Sequence, residues 1–150
     1  MAVTEAMLSG VRAEAERAGV FGEVVVRGGM LVCRAKGPEA PASYRVFGEG
    51  GRVWVSLVMA DRWLSESIES DLMHTGDKIE DLVAEELAEL GEASAEVRVE
   101  HFRSDDLLFT FRTPIPASAA GSVAGVTRWL LAYEACFRRL GDMGGEGDQG

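Results

Sequence analysis

Cysteine is scarce in this chain, with only Cys33 and Cys136 among 150 residues. Both sit in apolar runs and far apart in sequence, which excludes a CxxC redox or zinc motif and leaves no disulfide framework to build. Two small buried thiols in a reducing compartment are expected. Long hydrophobic runs are missing too. The longest strongly apolar uncharged stretch, Val53 to Ala60, falls far short of the ~20 residues that cross a bilayer. The opening Met1-Ala2-Val3-Thr4-Glu5 holds neither a basic segment nor a long apolar one, so no secretory signal is expected. The reading is a soluble, cytoplasmic chain with no membrane partner.

The familiar catalytic signatures are missing as well. There is no HExxH and no Cys/His grouping of the zinc type. Ser43, Ser56 and Ser65 lie in neither a GxSxG elbow nor an SxxK pair, which leaves a hydrolase triad without support. Gly48-Glu49-Gly50-Gly51 falls between two strands rather than before a helix, and no Walker lysine follows. No helix N-terminus therefore waits there for a phosphate. Neither catalytic nor cofactor-binding residues are assigned, and no cofactor is expected.

Basic residues are few and scattered, fifteen Lys and Arg against twenty-five Asp and Glu. Eleven of those carboxylates lie between Asp61 and Glu92, against only Arg62 and Lys78, so this segment holds nine of the net ten negative charges. Base-stacking aromatics need a positive groove to follow phosphates, and here the field has the opposite sign. Nucleic acid is excluded as a partner; cationic surfaces are favoured. A hydrophobic content of 47% with 27% charged residues is that of an ordinary globular domain. One domain over residues 1–140 is expected. The Gly- and acid-rich 141–150 is expected to be a disordered tail.

Periodicity orders the elements. Val3, Met7, Leu8, Val11 and Ala15 form a helical stripe ended by Gly19. Two apolar bursts, Val24-Val25-Val26 and Met30-Leu31-Val32-Cys33, read as a hairpin or as one strand with a glycine bulge at Gly28-Gly29. Tyr44 to Phe47 and Arg52 to Met59 read as a hairpin whose second strand is central and expected to be covered on both sides. Asp61 offers an N-cap for a helix carrying Leu64, Ile68 and Leu72, and then Ile79, Leu82, Val83, Leu87 and Leu90. Gly76 interrupts it, and Asp77 with Glu80 reads as a second capping box. Whether residues 62–90 make one kinked helix or two is left open. Val97 to Arg103 and Leu107 to Arg112 read as the last strands, with Leu107, Phe109 and Phe111 on one face. Pro114 and Pro116 are expected to stop the sheet. A last helix runs from near Ser122 through Val126, Leu130, Tyr133, Phe137 and Leu140. The expected pattern is α-β-β-β-α-β-β-α, an α+β domain with helices against an antiparallel sheet.

The segment His101-Phe102-Arg103-Ser104-Asp105-Asp106-Leu107-Leu108-Phe109-Thr110-Phe111, the exit Thr113-Pro114-Ile115-Pro116 and the helix Val126 to Leu140 resemble the end of the bacterial YbjN family. The element order with an acidic middle helix resembles the related type III secretion chaperone-like fold. That resemblance implies a sensory-transduction regulator or chaperone-like adaptor that works as a homodimer without enzymatic activity, and it carries over no catalytic residue. Thr75-Gly76-Asp77, which splits the middle helix, departs from the family and bears on any dimer surface formed there.

The expected function is a non-enzymatic adaptor that docks a protein or peptide segment. The acidic face, with Glu69, Asp77, Glu80, Asp81 and Glu85, would steer basic partners. The sheet would supply apolar area through Val97, Val99, Phe109 and Phe111. Trp63, beside Arg62 at the edge of the acidic helix, is the aromatic best placed for a partner, but core packing, the usual fate of large aromatics, is the favoured reading for it. The alternative function is a metal-dependent enzyme or metal sensor on Asp71, His74, Asp77 and Asp81, with Glu85 nearby, since carboxylate and imidazole at helical spacing can ligate a divalent ion. His101 is expected to be a polar edge or core histidine, with Glu100 on the opposite face.

Overall fold

The computed structural model describes residues 3–92 and 96–145. Its first helix, α1 (Glu5–Ala18), starts where the Thr4 hydroxyl accepts the Met7 amide and ends at Gly19 in the left-handed region. Strands β1 (Phe21–Arg27) and β2 (Met30–Ala35) pair antiparallel through Gly28 and Gly29, at φ 59° and 74°. Two successive positive φ values match the right-handed twist of a tight hairpin, and glycine adopts them without a Cβ clash. The two bursts are therefore separate strands, which corrects the expected count of three strands before the middle helices to four. Gly50 and Gly51, at φ 60° and 75°, repeat the device between β3 (Ala42–Glu49) and β4 (Arg52–Met59).

Asp61 accepts the Leu64 amide at 2.8 Å and opens α2 (Arg62–Thr75), which Gly76 ends at φ 77°. A separate α3 (Ile79–Glu89) follows, so the middle segment is two helices rather than one. Lys78, with no side-chain cap, stands at the N-cap of α3. The Asp77–Glu80 capping box is thus not formed: the Asp77 amide turns back to the Thr75 hydroxyl at 3.3 Å.

The sheet is completed by β5 (Glu100–Arg103) and β6 (Phe109–Ile115), in the order β1-β2-β3-β4-β6-β5 with every pairing antiparallel. Val97 and Val99 precede β5 and pack partly buried against the core. Pro114 does not stop the sheet, because it lies within β6 opposite Trp54. The reason lies in the strand pairing: among the described residues β5 pairs no further than Arg112, so at Pro114 one side of β6 is a free edge where a missing N–H costs nothing. Pro116 ends the strand and precedes α4 (Ala117–Ala120). Leu107 sits in the turn at φ 64° and is exposed, so it does not share the face of Phe109 and Phe111.

Ser122 accepts the Gly125 amide and starts α5 (Val123–Phe137), the most apolar helix, which buries Val126, Trp129, Leu130, Tyr133 and Phe137. It lies on β3 and β4, with α1, α3 and α4 packed around it. The chain does not fray at Gly141. Gly141–Gly144 form a 3₁₀ turn with Met143 buried against the core, held by Asp71 and Ser67 of α2. The tail expectation is corrected for 141–145, and residues 146–150 lie outside the described residues. The class is α+β, a six-stranded antiparallel sheet with the helical core on one face and nothing in the described chain laid across the other.

Candidate functional site

Pleating decides what each face of the sheet carries. Val53, Val55, Leu57 and Met59 point from β4 into the helical core, and Trp54, Ser56 and Val58 point the other way. The open face is nevertheless dry at its centre, where Trp54 and Val58 are each 7% exposed and Ser56 is 1% exposed. Long side chains from neighbouring strands lean over them. The Arg112 guanidinium lies 4.1 Å from the Trp54 ring and 5.1 Å from that of Phe102, between two aromatic faces. Glu49 and Glu100 fix it by hydrogen bonds of 2.7 and 2.9 Å, and the Trp54 ring N–H donates to the Glu49 carbonyl at 3.0 Å. Beside this arrangement a groove of about 370 Å³ opens between Arg45, Phe47, Val58 and Leu108.

The acidic segment divides into spent and unspent carboxylates. Asp61 caps α2, Asp71 accepts the Gly141 amide at 2.9 Å, and Glu86 and Glu92 pair with Arg139 and Arg128 of the last helical segment. Glu69, expected to face a partner, instead lies 3.2 Å from His101 Nε2. Glu66, Asp77, Asp81, Glu85 and Glu89 are exposed, and Glu80 is half-buried. Asp81, Glu85 and Glu89 follow at four-residue steps, one stripe of α3 turned to solvent.

The aromatic candidates part company. Trp63 is 76% exposed, which overturns core packing as its fate, and Met73 on the same helix is 84% exposed. Trp63, Glu66, Ser70 and Met73 recur at three- and four-residue steps on the outer face of α2, all exposed. Below Trp63 lies a pocket of about 390 Å³ rimmed by the carboxylates of Glu39, Asp61 and Asp142, with Ala40 and Leu64 as its apolar lining. Phe111 is 2% exposed and packed against His101 and Phe137, so it cannot offer docking area. Phe109 is half-buried beneath the Arg103 guanidinium, 5.4 Å above its ring. Both phenylalanines belong to the helical side, because odd positions of β6 face the core.

Asp71, His74, Asp77 and Asp81 are not brought together. Gly76 ends α2 between them, and among the described residues no group of three or more His, Cys, Asp or Glu is placed to hold a metal ion. Sequence reasoning missed the open-face set of Arg45, Trp54, Phe102 and Arg112. The residues themselves were visible, but not which of them would meet across strands. Burial pushes both thiols, Cys33 and Cys136, up to about 12. It also raises the Glu134 carboxyl, an effect that Arg138 partly opposes. Among the described residues no helix is long and apolar enough to cross a membrane. No family model, curated protein or solved structure matches the chain.

Proposed function

We propose that the chain is a binding module rather than an enzyme, and that it docks a basic protein or peptide segment on the outer stripe of α2. The observation that carries this reading is Trp63, 76% exposed on the wall of a pocket rimmed by three carboxylates. A lysine or arginine entering there meets both an aromatic face and acceptors. A cation over a tryptophan contributes about 0.5–1 kcal/mol when exposed and about 2 kcal/mol when desolvated. Met73, farther along the stripe, offers a polarizable apolar contact. The unspent carboxylates Asp77, Glu80, Asp81 and Glu85 add long-range attraction, which salt weakens because the Debye length is ~8 Å at physiological ionic strength. The YbjN-like, chaperone-like identity, a cytoplasmic site of action and a homodimeric state belong to the same reading. It is supported by helices gathered on one face of an antiparallel sheet.

A fluorescently labelled arginine- and lysine-rich peptide, titrated at low and high salt, tests the docking site. Binding should weaken with salt, and Trp63→Ala should weaken it roughly 30-fold, as expected for a hot-spot tryptophan worth about 2 kcal/mol. Affinity unchanged by Trp63→Ala would show that the peptide only senses net charge, and the reading would fall. Light scattering on the same samples reads the assembly state, and a strict monomer would remove the dimer from it.

A further inference from the structure

Where β3, β4 and β6 run side by side on the open face, Arg45, Ser56 and Arg112 form one cross-strand row, with Ser56 directly opposite both arginines. Arg112 is spent on Glu49 and Glu100. Arg45 and Ser56 are not: Arg45 Nε and Ser56 Oγ are both buried and make no hydrogen bond among the described residues. Ser56 is 1% exposed and lines the groove. A buried donor left without an acceptor costs about 1–3 kcal/mol. Two such groups on paired positions have Cβ atoms ~5 Å apart, within reach of the same acceptor.

We infer that this groove is a binding site for a small apolar molecule bearing one carboxylate, whose oxygens accept from the Arg45 guanidinium and the Ser56 hydroxyl. The inference stands apart from the docking of basic segments on α2, because it uses the other side of the molecule. The walls fit an apolar body: Met30, Phe47, Val58 and Leu108 surround a space of about 370 Å³, within the usual range for small-molecule sites. Charge sets the head group. Glu49 and Glu100 neutralise Arg112, whereas Arg45 makes no ion pair among the described residues, although Asp106 lies near enough to feel its charge. The site therefore offers one uncommitted cation, which suits a monoanion and disfavours a dianionic phosphate. A neutral head would leave the guanidinium without a charged acceptor. Rotation of the serine hydroxyl allows it to donate to either carboxylate oxygen.

Calorimetry and NMR titration with octanoate and 4-phenylbutyrate test the site, with 1-octanol, octyl phosphate and a short peptide ending in an apolar residue as comparisons. Saturable one-to-one binding of at least one carboxylate is expected. Arg45→Met should weaken it at least tenfold, Ser56→Ala severalfold, and Arg45→Lys less than Arg45→Met. Ser56→Ala removes an unpaired buried hydroxyl, so it should leave the melting temperature unchanged or higher. That variant remains informative even if Arg45→Met unfolds. The proposal is overturned if neither carboxylate binds, if octanol or octyl phosphate binds as well as octanoate, if the peptide binds and the free acids do not, or if both Ser56→Ala and Arg45→Lys bind with wild-type affinity.

Discussion

The imidazole of His101 lies flat on the ring of Phe111, with centroids 3.8 Å apart and planes 8° from parallel. Its two nitrogens are both occupied, Nδ1 at 2.9 Å from the Thr110 carbonyl and Nε2 at 3.2 Å from Glu69 of α2. One side chain thus ties the edge strand β5 to β6 and to the acidic helix. A neutral ring has a single N–H and donates to one of these oxygens, whereas the imidazolium donates to both.

Phe111 is the inner partner of that stack and also tilts against Phe137, with centroids 5.0 Å apart. Replacing it with alanine opens a cavity among buried rings. Phe111→Ala should cost about 3–5 kcal/mol in urea denaturation, the range of buried aromatic truncations. Phe109→Ala, at a half-buried position, should cost clearly less. Equal and small losses would mean that β6 does not seal the core here.

Asp71 carries a structural contact where ligation of a metal was one expectation. Its carboxylate accepts the Gly141 amide at 2.9 Å, and the Ser67 hydroxyl accepts the next amide, of Asp142, also at 2.9 Å. These bonds hold the turn that buries Met143. Asp71→Ala should cost about 1–2 kcal/mol, since a charged acceptor is lost from a partly solvated bond. Hydrogen exchange should show lost protection at Gly141 and its neighbours, while His74→Ala leaves those amides unchanged. Loss of protection in the histidine variant instead would return His74 to a structural or ligating role.

Local chemistry made much of this fold legible. Asp61 caps α2, α5 starts at Ser122, and Gly50-Gly51 turns the β3–β4 hairpin, all as the residues led one to expect, whereas at Gly28-Gly29 a hairpin and a bulge were both open. What stayed hidden depends on neighbours distant in sequence. Pro114 is tolerated in β6 because β5 ends opposite Arg112, and nothing local to Pro114 encodes that. The fate of Trp63 follows from which face of α2 meets β4 and the 3₁₀ turn. The open-face groove is the extreme case. Arg45, Ser56 and Arg112 lie on three strands and acquire meaning only through register. Periodicity assigns a residue to a face but cannot say which residues stand opposite it.

Glu134 provides a pH-dependent prediction with a definite sign. It is 6% exposed on α5, and burial raises its carboxyl above the ordinary range, with Arg138 at 3.7 Å only partly opposing the shift. A folded-state value above the unfolded one means that the native protein holds the proton more tightly. Its stabilising effect is then full below the unfolded value and is lost as pH rises through the folded one. Glu134→Gln, which keeps the shape and removes the titration, should melt higher than wild type at neutral pH. The gap should close as pH falls below the usual glutamate range. A gap that widens on acidification would show that Glu134 is stabilised as an anion through Arg138.

The two thiols test the core from within. Cys33 on β2 is fully buried and Cys136 on α5 is 1% exposed, and burial holds both near 12. The thiolate is the reactive form, so at pH 8 the native protein should present almost none of it. An aromatic disulfide reagent should react with both cysteines at once in concentrated urea. In native buffer it should react only at the rate at which the chain opens. Because Cys136 packs in the layer between α5 and the sheet, its reaction should wait for disruption of that layer. Cys33, one strand away from the sheet edge, can be reached by a smaller opening of β1 and should react first. Prompt labelling of Cys136 in the native state would mean that α5 separates readily from the sheet, leaving no stable platform behind the open-face groove.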